Sequence, residues 1–291
     1  MLRSSGARWL MLVTAALLTT ACESLPLTCP PLVGGVVWQT SHATAELRGD
    51  WHKLGARRLL VQWLEVDGTR FTGDAGAPGT TPGPDWARIG AEPWASEVWL
   101  GLAGAHQEAA ARADVARLAA RSAELARVSL PVRVGGWYFP VEVDPTWVPA
   151  ADLRTALHAL PRPLWISAYD SANLGPGALA DWVERWLPTD VGILFQDGVG
   201  VHARSPEVAV DYARTLAERL GRARVQLIAE AFRPAPGGRF RSATAAELLP
   251  QLRAYAGWRV WVFDGPHYLE DTLVTQLLAL DGAQPGCRQA P

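Results

Sequence analysis

Lysine is nearly absent from this 291-residue chain: Lys53 is the only one, and 27 basic residues stand against 29 acidic ones for a formal net charge of −2. The basic excess of a nucleic-acid binder is missing, so no nucleic-acid partner is expected. Cysteine is scarce too. Cys22, Cys29 and Cys287 offer no CxxC or Cys/His spacing, and His42, His52, His106, His158 and His202 offer no ligand spacing; no metal and no cofactor are expected. The first strand candidate is followed by Ser41-His42-Ala43-Thr44, not by the Gly-rich turn of a dinucleotide site. No nucleophile elbow marks a Ser/His/Asp hydrolase. What is present is an ordinary globular composition, 49% hydrophobic and 19% charged, with 14 tryptophans.

The first residues read as an export signal. Arg3 and Arg8 precede an apolar run, Trp9 to Leu18, and then Thr19, Thr20, Ala21 and Cys22. The run falls short of the roughly 20 residues needed to cross a bilayer. Cys22 after Ala21 resembles a bacterial lipoprotein site. The expectation is a signal over 1–21, lipid on Cys22, a short linker over 22–33 and one domain over 34–285. The protein would then be periplasmic or held at the outer membrane, touching the membrane only through its lipid. An oxidising compartment would let Cys29 and Cys287 pair and tie the chain ends together.

Short apolar runs recur about every thirty residues. The strand candidates are Val36–Thr40, Leu59–Leu64, Val98–Leu102, Gly136–Val143, Leu164–Tyr169, Gly192–Asp197, Val225–Glu230 and Arg259–Asp264. They are continuous and do not alternate, as strands covered on both faces do. Helical patterns are expected at Thr44–Leu54, Asp85–Trp94, Gln107–Val128, Ala150–Leu160, Gly177–Leu187, Pro206–Leu220, Ala243–Tyr255 and Leu269–Leu280. Ser205 and Ser242 sit where two of them should start; Gly221 and Gly257 sit where two should stop. Eight strand–helix units in this length predict an α/β fold, a (β/α)8 TIM barrel in a single domain. An open doubly wound sheet is the alternative. Asp67 to Pro84, rich in Gly, Pro and Thr, reads as a long loop on the catalytic face. Trp38, Trp63, Trp165 and Trp261 are expected to pack between strands and helices.

Polar residues collect at the strand ends, which in a barrel surround the active site. Gln39, Gln62, Glu142, Tyr169, Gln196, Asp197, Glu230 and Asp264 end strands, Tyr138 shares a strand face with Glu142, and His267 follows the last strand. Glu142 and Glu230 stand out, because a charge ending an apolar strand is costly unless paired or functional. On the fourth and seventh strands they would face each other across the barrel mouth. Glycoside hydrolysis needs such a pair, one to protonate the leaving oxygen and one to attack or to activate water. The competing reading pairs each with an arginine such as Arg133 or Arg233. Gln39, Gln62, Tyr138, Tyr169, Gln196, Asp197, Asp264 and His267 are the candidates for binding substrate.

The runs Gly136-Trp137-Tyr138-Phe139-Pro140-Val141-Glu142, Ile166-Ser167-Ala168-Tyr169, Phe195-Gln196-Asp197-Gly198-Val199-Gly200 and Ala229-Glu230-Ala231-Phe232 resemble a family of bacterial glycoside-hydrolase-like barrels, domain-of-unknown-function family 4434. The likeness runs in order from about Gly34 to Tyr268. It implies a TIM barrel of the glycosidase superfamily, in which the retaining members carry the acid/base after the fourth strand and the nucleophile after the seventh. By position these are Glu142 and Glu230, with Glu142 protonated and Glu230 ionised. Val141 stands where many such enzymes have Asn. The expected protein is a monomeric, retaining glycoside hydrolase acting on an envelope or extracellular polysaccharide; the alternative is an inactive carbohydrate-binding lipoprotein assisting polysaccharide export or assembly.

Overall fold

The structure, a computed structural model, describes residues 31–73 and 83–282. The signal segment, Cys22, Cys29, Cys287 and residues 74–82 of the Asp67–Pro84 loop lie outside the described residues. Eight parallel strands close into a barrel. They are β1 (Gly35–Trp38), β2 (Arg58–Val61), β3 (Glu97–Gly101), β4 (Val134–Val143), β5 (Leu164–Ala168), β6 (Val191–Gln196), β7 (Val225–Glu230) and β8 (Val260–Phe263). β1 pairs with both β2 and β8, which completes the ring.

The helices run α1 (Trp86–Gly90), α2 (Glu108–Ala113), α3 (Val115–Leu125), α4 (Ala151–His158), α5 (Pro176–Trp186), α6 (Pro206–Leu220), α7 (Ala245–Ala254), α8 (Gly265–Tyr268) and α9 (Asp271–Gly282). Ser205 caps α6, accepting from the Val208 N–H, and Gly221 ends it at φ 93°. Several expected helices differ. Thr44–Leu54 forms only two 3₁₀ turns, His42–Thr44 and Trp51–Leu54. The Trp51 ring lies so close over Gly49 that a Cβ there would sit 2.3 Å from it. The expected Gln107–Val128 helix breaks at Asp114, and Pro93 turns the end of Asp85–Trp94 into a 3₁₀ turn. Ser242 is not a cap. Thr244 is, and Glu247 reciprocates to form a capping box. Ser242 instead closes a hairpin, Phe232–Ala235 with Arg239–Ser242, that the sequence reading missed. Gly237 and Gly238, at φ 77° and 69°, make its turn, and that Gly-Gly pair was the available signal.

Each strand sends one side chain into the barrel's central layer: Val37, Leu60, Trp99, Tyr138, Trp165, Leu194, Ile228 and Trp261. Trp165 and Trp261 therefore lie inside the barrel, not between strands and helices, whereas Trp38 does pack outside and Trp63 joins Val66 and Phe71 in a small satellite core. Three indoles fit because glycines face them. A Cβ on Gly35 would lie 2.5 Å from Trp261, and one on Gly192 would lie 2.2 Å from Trp165. Trp99 stacks on Trp165 with ring centroids 4.8 Å apart. Large rings in such a layer contribute several kcal/mol each.

Candidate active site

At the C-terminal mouth of the barrel lies a cavity of about 200 Å³. Gln62, Glu108, Tyr138, Glu142, Ser167 and Gln196 give it its polar wall. Glu142 reaches it through an irregularity in β4. Phe139 pairs with Ile166, and Val143 pairs with Ala168, so four steps on one strand face two on the other. Pro140 has no N–H to donate there, and such bulges re-aim side chains. The bulge leaves the Glu142 backbone without strand partners, and α2 supplies them. Glu108 Oε2 accepts the Glu142 N–H at 3.0 Å, and Arg112 Nε donates to the Glu142 carbonyl at 3.0 Å.

The Glu142 carboxylate accepts a hydrogen bond from Gln196 Nε2. Burial first, and the Glu108 charge second, push its pKa up to about 7. Burial likewise raises Glu108. Glu108 is the residue the sequence reading missed. With Arg112 four residues on, it looks like half of an ordinary surface ion pair, and no local pattern reveals its hold on Glu142. Tyr138 donates to Ser167 Oγ at 2.8 Å, and Gln62 Oε1 is buried with no partner among the described residues.

Glu230 is 5% exposed and does not line this cavity. The Gly198–Val201 turn covers it: the Gly200 N–H donates to Glu230 Oε2 at 2.8 Å, and a Cβ on Gly200 would lie 2.6 Å from Glu230 Cβ. Burial, then the Asp197 charge, push Glu230 up to about 8. This direction runs against the ionised form expected of Glu230. Among the described residues, neither carboxylate pairs with an arginine. Arg233 donates to the Glu230 and Phe232 carbonyls and to Gln251 Oε1, holding the end of β7 in place.

Asp197, expected at the substrate, faces the other way. It is fully buried and accepts from Tyr255 Oη at 2.7 Å, Gln251 Nε2 at 2.5 Å and the Val199 and Glu230 N–H groups. Next to Gln196, which points inward, it has to point outward. Tyr169 lies near both carboxylates, and burial, then the charges of Glu230 and Glu142, raise its pKa. The Arg204 guanidinium sits 5.0 Å from its ring and donates to the Asp170 carbonyl at 2.6 Å, pinning the loops after β5 and β6. Asp264 is buried. Its Oδ2 meets His267 Nδ1 at 2.5 Å and accepts the Gln39 N–H at 3.3 Å, while Oδ1 has no partner among the described residues. Burial pushes Asp264 up to about 6, and its hydrogen bond raises exposed His267. Gln62, Tyr138, Glu142 and Gln196 thus share the cavity; Gln39, Tyr169, Asp197, Glu230, Asp264 and His267 do not line it.

No family model matches the chain, and no curated protein matches it. Solved structures do. A candidate alpha-L-fucosidase from Bacteroides thetaiotaomicron is similar at a TM-score of 0.59 and 14% identity, over 86% of this chain and 92% of that one. A GH128 endo-beta-1,3-glucanase from Amycolatopsis mediterranei, in complex with laminarihexaose, gives 0.40 and 19% over 79% and 88%. A chitinase from Chromobacterium violaceum gives 0.46 and 11% over 85% and 99%. The first of these likenesses carries the fold, a (β/α)8 barrel, and the activities and substrates in these names belong to those proteins.

Proposed function

We propose that the chain is a glycoside hydrolase-like enzyme acting on an envelope or extracellular polysaccharide, with Glu142 and Glu230 as its carboxylate pair. One observation carries the reading: Glu142 faces a cavity at the catalytic end of the barrel with its pKa pushed up to about 7. A carboxyl group that holds its proton near neutrality is suited to protonate a glycosidic oxygen. Glu108 helps keep that proton in place. Gln62, Gln196 and Tyr138 offer the donors and acceptors that sugar hydroxyls need. The cavity is smaller than the roughly 300–1,000 Å³ of drug-sized sites, so it suits a single sugar unit with the rest of the chain outside. Glu230, whose Oε2 accepts the Gly200 N–H, has to give up its proton before it can supply negative charge for an oxocarbenium-like transition state. We further infer export, with lipid on Cys22 as the anchor; the mass of the mature N-terminal peptide tests it.

Screening envelope and extracellular polysaccharides for released reducing ends tests the reaction. Glu142→Gln should lower turnover at least about a hundredfold and leave oligosaccharide binding intact. Wild-type rates in both Glu142→Gln and Glu230→Gln would end this reading. The burial of Glu230 under the Gly200 turn favours a second one, a carbohydrate-binding protein without turnover. Oligosaccharide binding with no product released by the native chain would select it.

A further inference from the structure

The opposite end of the barrel holds a second, larger cavity of about 560 Å³. Pro31, Arg58, Arg222, Gln226, Trp258 and Arg259 are among its lining. Three arginines line it. Arg58, at the start of β2, contacts Glu97 at 3.1 Å. Arg222 donates to the Gly257 carbonyl at 2.6 Å and lies over the Trp258 ring. Arg259, just before β8, is exposed and has no ion-pair partner among the described residues. Partial desolvation and the neighbouring Arg58 charge push its pKa down, against the opposing pull of Glu97.

Gln226 adds an independent observation. The residue is among those lining the cavity and is 2% exposed. The Trp261 indole, which can only donate, gives its hydrogen to Gln226 Oε1 at 2.7 Å. That bond fixes the orientation of the amide and leaves Nε2 as the other atom. Nε2 is buried and has no partner among the described residues. An unpaired buried donor is costly and calls for an acceptor.

We propose that this cavity binds a phosphate-bearing anion, held by Arg58, Arg259 and Gln226 Nε2. One guanidinium fork satisfies a planar carboxylate. Several donors converging from different strands suit a tetrahedral oxyanion better. Two sources fit: a free phosphate ester, or the phosphodiester headgroup of a lipid lying beneath the barrel. Pro31 lines this cavity and follows Cys22, the residue expected to carry lipid, by nine positions. The site is independent of the chemistry at the other end.

Calorimetric titration of the full chain with inorganic phosphate and with glycerophosphoglycerol, the soluble headgroup of phosphatidylglycerol, tests the proposal. At least one of them should bind, and Arg259→Gln should weaken that binding about tenfold. Gln226→Glu keeps an acceptor for Trp261 but aims a carboxylate oxygen at the ligand, and should abolish binding. If Gln226→Glu fails to fold in a thermal melt, Arg259→Gln alone decides. Tighter binding of phosphate identifies a free ester as the ligand, and tighter binding of the headgroup identifies a lipid. No binding of either by the wild-type chain, or equal binding by Arg259→Gln, overturns the site.

Discussion

Glu142 and Glu230 both sit at strand ends where burial favours their protonated forms, but they are held by different means. A carboxyl group whose pKa is raised in the folded chain contributes stability that is present below its unfolded value, near 4.5, and is lost as pH rises through the folded value. For Glu142, between 4.5 and about 7, the loss is on the order of 3 kcal/mol at most. The melting temperature should therefore fall between pH 5 and pH 8, and more steeply for wild type than for Glu142→Gln; parallel slopes would refute the buried titration. Glu108→Gln keeps an acceptor for the Glu142 N–H but removes a charge. It should move the Glu142 midpoint downward, as read by carboxyl NMR. Gly200→Ala would drive a Cβ against Glu230. It should cost about 1–3 kcal/mol in denaturant melts and lower any turnover. Which polar residues lie at the mouth was readable from the sequence. Which way each one points was only partly so. Alternation turns Asp197 away once Gln196 faces inward. The service Glu108 gives to Glu142 depends on a strand irregularity that no single run of residues displays.

The eight strands were legible because their apolar runs are continuous, and observed bounds lie within a few residues of the expected ones. The helices were less so, since a periodic pattern says nothing of where a tertiary neighbour interrupts it. Gly49 beneath Trp51, Pro93 after Glu92 and the break at Asp114 are such interruptions. The hairpin after β7 was missed because Arg239–Ser242 is mostly exposed and lacks the apolar run of a barrel strand. Its closing residue led the start of α7 to be placed two residues early. Thr244→Ala should destabilise the protein by about 1 kcal/mol; an unchanged denaturation midpoint would show that the capping box contributes nothing to α7.

The molecule as a whole is polarised along the barrel axis. Carboxyl groups line the cavity at one mouth and guanidinium groups the cavity at the other, although the net charge is only −2. The balance visible in the composition hides this, because the sequence does not say which end of a strand each charge occupies until the ring is closed. The barrel was predictable from the count of units. The filling of its interior was not: tryptophans in strands look alike whether they point toward the axis or toward the helices.

The glycines opposite Trp165 and Trp261 make volume a shared property of two positions. Neither Gly192 nor Trp165 can vary alone, because enlarging one leaves no room and shrinking the other leaves a void. Gly192→Ala should destabilise by about 1–3 kcal/mol and Trp165→Leu by more, but the double substitution should recover part of both losses. In any set of homologous barrels these two sites should therefore change together, as a single inherited unit of space.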